Sequence, residues 1–95
     1  MAGYYNAEIE VHDDDAYVKY RELASAAIQA HGGEMVVRGG EWESLEGAEP
    51  APRVVVLRFA SVEAARNWFH SPEYAEAHAI RTRVATSRSF IVEGV

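Results

Sequence analysis

The chain has no cysteine. Disulfide staples, iron–sulfur clusters and thiolate zinc sites are therefore excluded, and nothing speaks for secretion. No apolar run approaches the ~18 residues of a membrane span. The start, "MAGYYNAEIEVHDDD", has neither a basic head nor an apolar core, so it does not read as a signal peptide. Positive charge is also scarce, with nine Lys and Arg against fifteen Asp and Glu and a formal charge of −6. An acidic chain repels phosphate backbones, and the densest basic group is only Arg81, Arg83 and Arg88, so nucleic acid is not an expected partner. Gly32-Gly33 and Gly39-Gly40 lack the residues that make a phosphate-cradling loop, and no serine or cysteine nucleophile motif occurs. No His, Asp or Glu set has a recognised metal-ligand spacing. His70 and His78 are separated by a helix start. No metal, haem or other cofactor is expected. The reading is a cytoplasmic protein.

What is present is one domain, residues 1–95, with 48% hydrophobic residues. In "YYNAEIEV", Tyr5, Ala7, Ile9 and Val11 alternate with polar neighbours, as in a half-buried strand. Asp13 or Asp14 then opens a helix, since an acid both caps the first N–H groups and suits the positive end of the helix dipole. Tyr17, Tyr20, Ala24, Ala27, Ile28 and His31 form its inner stripe, and Gly32-Gly33 stops it. His31 is expected to be partly buried and bonded to backbone. "EMVVRGG" is a second strand, residues 41–52 a connecting arm, and "RVVVLRF" a third strand with Val55, Leu57 and Phe59 on one face. Ser61 caps a helix through "VEAARNWFH". Ser71-Pro72 restarts one, with serine at the cap and proline at the first helical position. "SRSFIVEGV" closes the chain as a fourth strand.

The order is β-α-β-β-α-β, the ferredoxin-like α+β pattern. It predicts a four-stranded antiparallel sheet with two helices on one face, the second broken at Ser71-Pro72. The uncovered face carries Asn6, Glu8, Glu10 and His12, with Val54, Val56 and Arg58 from strand three and, by the same parity, Arg38 from strand two. Two readings are open: a solvated surface, or a homodimer in which two sheet faces meet. The second is the expectation, with Glu and Arg pairing there.

"VHDDDAYVKY", "HGGEMVVRGG", "LEG", "RVVVLRF", "NWFHSPEY", "AIRTRVA" and "IVEG" occur in this order and span nearly the whole chain. The set resembles the domain of unknown function 1330 family, within the dimeric α+β barrel group. The resemblance implies a ferredoxin-like protomer that dimerises through its sheets. That wider group includes antibiotic-biosynthesis monooxygenases, muconolactone isomerases, stress-responsive barrel proteins and haem-dependent chlorite dismutase-like enzymes. The chain departs from the family pattern at Arg58, where glutamate is usual.

Tyr74, His78, Arg81 and Ala85 recur at helical spacing and form one stripe, expected at the edge between helix and sheet. Glu73, Ala77, Ile80 and Val84 form the adjacent stripe, expected in the core. Arg38, Trp68, Tyr74, His78 and Arg81 are the candidate ligand-binding residues, because guanidinium and phenol groups suit an anionic or enolate-like oxygen. Arg81 paired with a local acid, and Tyr74 packed under the turn, is the alternative. His12 and Asp13 end strand one, where barrels of this group place a pocket mouth, and they are the candidate general bases. Asp13 as a helix cap alone is the alternative. The functional expectation is a small anionic, aromatic or polyketide-like ligand, either turned over by a cofactor-independent isomerase, cyclase or monooxygenase or held by a non-catalytic homodimer.

Overall fold

Alternation along the first segment sets the frame of the sheet. In the computed structural model, which describes residues 1–95, strand β1 (Gly3–Val11) buries Tyr5, Ala7 and Ile9 while Asn6 and Glu8 point the other way. β1 pairs antiparallel with β3 (Arg53–Phe59) on one side and β4 (Ala85–Glu93) on the other. β2 (Glu34–Arg38) adds to β3, giving the order β2-β3-β1-β4. Helices α1 (Asp14–Ala30), α2 (Val62–Phe69) and α3 (Pro72–Val84) complete the ferredoxin-like architecture. Their buried residues close one core with the inward side chains of the sheet.

The helix ends follow from local chemistry. The side chains of Asp13, Ser61 and Ser71 accept hydrogen bonds from the backbone N–H groups of Ala16, Ala64 and Tyr74, so each helix start has a partner for an otherwise orphaned donor. Gly32, at φ 71°, ends α1 in the left-handed conformation, and the next N–H bonds back to Ile28 at 2.9 Å. α3 runs into β4 with no loop. Ala85 is already extended, so the last strand begins two residues before the Ser87 start read from the sequence.

The "NWFHSPEY" stretch is the hinge of the core. Trp68 is wholly buried, with Tyr5 in edge contact at 5.0 Å, Phe59 stacked at 5.4 Å and Tyr74 at 4.3 Å between ring centres. Ser71 Oγ donates to the Trp68 carbonyl at 2.7 Å while accepting from the Tyr74 N–H. The break therefore fixes the axis of α3 under the tryptophan. Losing so large a buried ring costs about 3–5 kcal/mol, so this packing governs how α3 sits.

Three expectations are corrected here. α3 buries Tyr74, Ala77, Arg81 and Val84, whereas Glu73 is exposed and Ile80 only partly covered. Residues 74, 77, 81 and 84 also share one helical face, and the Trp68–Tyr74 contact turns that face inward. Glu73 swings toward α1 instead, where it meets His31 Nε2 at 2.7 Å, so His31 bonds to a side chain and not to backbone. The third correction concerns Arg38. The β2–β3 pairing shifts register between Met35 and Val37, so Val37 lies opposite Val56 and Arg38 opposite Val55. A one-residue slip exchanges the two faces of a strand, and Arg38 moves from the open face to the helix-covered one.

The open face carries Tyr4, Asn6, Glu8, Val54, Val56 and Arg58, with Arg88, Phe90 and Val92 opposite them on β4. Phe90 and Val92 are about half exposed. Glu8 pairs with Arg88 and accepts from the Ala51 N–H at 3.1 Å, which ties the 41–52 arm to this face. No helix is long and apolar enough to cross a membrane.

Candidate functional site

Arg81 is the unusual residue of the core. It is 3% exposed. Its Nη2 donates to the Tyr5 hydroxyl at 2.9 Å and its Nη1 to the Tyr20 hydroxyl at 3.3 Å. Tyr20 in turn shares a 2.8 Å hydrogen bond with Tyr74. The ion pairs of the chain are His31–Glu73 and Arg88–Glu8, so Arg81 has no carboxylate partner. Burying a charge costs several kcal/mol unless an opposite charge and hydrogen bonds offset it. Three tyrosine oxygens supply dipoles, but none supplies a negative charge.

Beside Arg81 lies a cavity of about 170 Å³ between α1 and the sheet. Its apolar wall is built by Ile9, Ala24, Ile28, Met35, Val55 and Leu57, and its aromatic wall by Tyr5, Tyr17, Tyr20 and Trp68. Four arginines line it, Arg21, Arg38, Arg53 and Arg81, and no Asp, Glu or His does. A lining of this sign in a chain of formal charge −6 is a local inversion of the overall charge. Arg38 arrives there through the β2 bulge. Arg53 lies under the turn at Gly39, where φ is 63° and a β-carbon would meet Nη1 of Arg53 at 2.7 Å. Its guanidinium sits 5.7 Å from the Tyr17 ring centre, and its Nε is buried without a hydrogen-bond partner, as is Trp68 Nε1.

Burial pushes the hydroxyls of Tyr17, Tyr20 and Tyr74 above the ordinary phenol value, although Arg81 pulls each the other way. These groups are therefore neutral donors at physiological pH. Burial opposes the charge on Arg81 and the hydrogen bond to the Tyr5 oxygen favours it, and the guanidinium stays a cation at physiological pH. The arrangement is a fixed cation flanked by neutral O–H groups, which suits an oxyanion.

The candidate residues separate into four sets. Arg38, Trp68 and Arg81 line the cavity together. Tyr74 stands one step behind, bonded to Tyr20, and stacks on His78 at 5.6 Å. His78 lies on the far side of Arg81, in a second pocket with Thr82, Ser87 and Ser89. Burial, then Arg81 and His70, push the His78 imidazole below its ordinary value. His12 and Asp13 do not line the cavity. Asp13 Oδ1 accepts from the Ala16 N–H, and His12 Nε2 lies 2.7 Å from Thr86 Oγ1. Tyr5, Tyr20, Arg21 and Arg53 join the site unforeseen. Arg53 had a readable signal, because it shares the odd-numbered face of Val55, Leu57 and Phe59. No group of three His, Asp or Glu side chains is placed to hold a metal ion.

The family described as Domain of unknown function (DUF1330) matches residues 2–95. No protein of curated function matches the chain. Among solved structures, a protein of unknown function from Rhodopseudomonas palustris is 20% identical with a TM-score of 0.78, covering 99% of this chain and 82% of its own. SnoaB, a cofactor-independent oxygenase from Streptomyces nogalater, is 13% identical with a TM-score of 0.64, covering 99% and 92%. A dimeric protein of unknown function with a ferredoxin-like fold from Bacteroides fragilis is 12% identical with a TM-score of 0.58, covering 98% and 96%. At these identities the similarity is one of fold.

Proposed function

The chain belongs to the Domain of unknown function (DUF1330) family, and for this member we propose binding of a small organic anion in the cavity between α1 and the sheet. The observation that carries the reading is Arg81, a buried guanidinium with tyrosine partners and no carboxylate. An anionic ligand supplies the missing charge, and the Tyr5 and Tyr20 hydroxyls orient it. The walls favour an aromatic or polyketide-like body. Cavities of about 150 Å³ hold a benzene ring, and this one, at about 170 Å³, is of that size.

A second reading is turnover as a cofactor-independent isomerase, cyclase or monooxygenase. It is favoured by the fold shared with SnoaB and by N–H and O–H donors that can hold an enolate oxygen. Such chemistry also needs a base at the substrate carbon. The cavity is lined by neither carboxylate nor imidazole, so binding stands first. The open sheet face is read as a homodimer surface, on the exposed Phe90 and Val92 and on a dimeric protein of the same fold.

A thermal-shift screen of small aromatic acids against their amides tests the binding reading. Acids are expected to raise Tm with concentration and amides to leave it unchanged, since only ligands that bind the folded state stabilise it. Equal responses to acids and amides, or none to either, would sink it. Incubating each binder under air and following product by mass spectrometry then separates turnover from binding.

A further inference from the structure

We infer that the ligand is a ring-sized organic acid with two ionised oxygen groups, one held at Arg81 and the other at Arg53. The inference rests on the binding reading above and adds a second anchor to it. Neither guanidinium has a carboxylate partner, although acids outnumber bases in the chain. The Arg53 guanidinium lies beside Tyr17, and its Nε is buried without a hydrogen-bond partner. Guanidinium N–H groups withdrawn from water are costly to leave unbonded, and a carboxylate is their natural bidentate partner.

The two cations pack on different aromatic rings of the cavity wall. The Arg81 guanidinium lies 5.6 Å from the Tyr20 ring centre and that of Arg53 lies 5.7 Å from the Tyr17 ring centre. The two rings are themselves 5.0 Å apart on neighbouring turns of α1. Along the sheet, Tyr5, which binds Arg81, is level with Leu57, and Ile9 is level with Arg53. Those levels are about 13 Å apart at the backbone, from the rise per strand residue. Apolar and aromatic side chains fill the interval. A monoanion engages one end and leaves the other cation unpaired. A diacid with its groups at opposite ends of one ring engages both. Arg53 is held for this role by the Gly39 turn, which lets its Nη1 lie where any side chain would intrude.

The test is calorimetric titration of the full chain with terephthalate, benzoate and benzamide, for the wild type, Arg53→Gln and Arg83→Gln. Arg83 is exposed and outside the cavity, and reports non-specific attraction to surface charge. The wild type is expected to bind terephthalate about tenfold or more tighter than benzoate, as a second charge-assisted contact provides. Arg53→Gln is expected to bring the ratio of the two dissociation constants to about one, and Arg83→Gln to preserve the preference. Benzoate binding with no preference for the diacid, or a preference that survives Arg53→Gln, overturns the second anchor and leaves the Arg81 site standing. Binding of neither acid overturns both.

Discussion

Arg81 and Tyr5 lie 76 positions apart in sequence and 2.9 Å apart in space, the guanidinium donating to the phenol oxygen inside the core. The contact joins the last helix to the central strand. It also creates the main electrostatic problem of the fold, a buried cation with no anion beside it. On the binding proposed above, the same contact sets binding and stability against each other.

Arg81→Met measures that opposition. Methionine fills comparable space without a charge, and exchanging buried ionic groups for apolar ones is often neutral or stabilising. Lost hydrogen bonds to Tyr5 and Tyr20 each cost about 1 kcal/mol. The expected result is unfolding free energy within about 1 kcal/mol of wild type by urea denaturation, together with loss of acid binding in the thermal-shift assay. Destabilisation beyond about 3 kcal/mol would mark Arg81 as a structural strut.

The tyrosine cluster makes an alkaline prediction. Tyr17, Tyr20 and Tyr74 hold their protons more tightly when folded, first because of burial. An unfolded tyrosine ionises near pH ~10. Above that value the unfolded state sheds protons that the folded state keeps, so stability is full below it and falls as pH rises past it. Absorbance titration at high pH is expected to show these phenols ionising together with loss of near-ultraviolet dichroism. Smooth ionisation of every tyrosine near the ordinary value, with the fold intact, contradicts the buried assignment.

On the open face of the sheet, Phe90 is 53% exposed and lies opposite Asn6. If two such faces meet, Phe90→Glu places charge into an apolar contact beside Glu8 and repels the partner copy. Light scattering after size exclusion is expected to report a dimer for the wild type and a monomer for the variant, with unchanged far-ultraviolet dichroism. A wild-type monomer at micromolar concentration removes the dimer reading.

Most of the architecture was legible in the chain. Period-two alternation in Gly3–Val11, the serines and aspartate at the helix caps, and the Ser71-Pro72 restart are local signals, and local backbone chemistry obeys them. The family motifs were legible for the same reason, being short runs in fixed order. The site was less so. Arg38 faces the cavity only because a bulge slips β2 by one residue, and no residue in "EMVVR" announces it. Tyr5 and Tyr20 read as core, and they are core. Their hydroxyls gain a charged partner only where Arg81 arrives from α3. The sequence by itself determined the elements, their order and the inward faces, because those depend on neighbours within a few residues. The tertiary structure decided the rotation of α3, the face of Arg38 and the gathering of four arginines around one cavity. Those depend on packing between segments that meet only after the chain has folded.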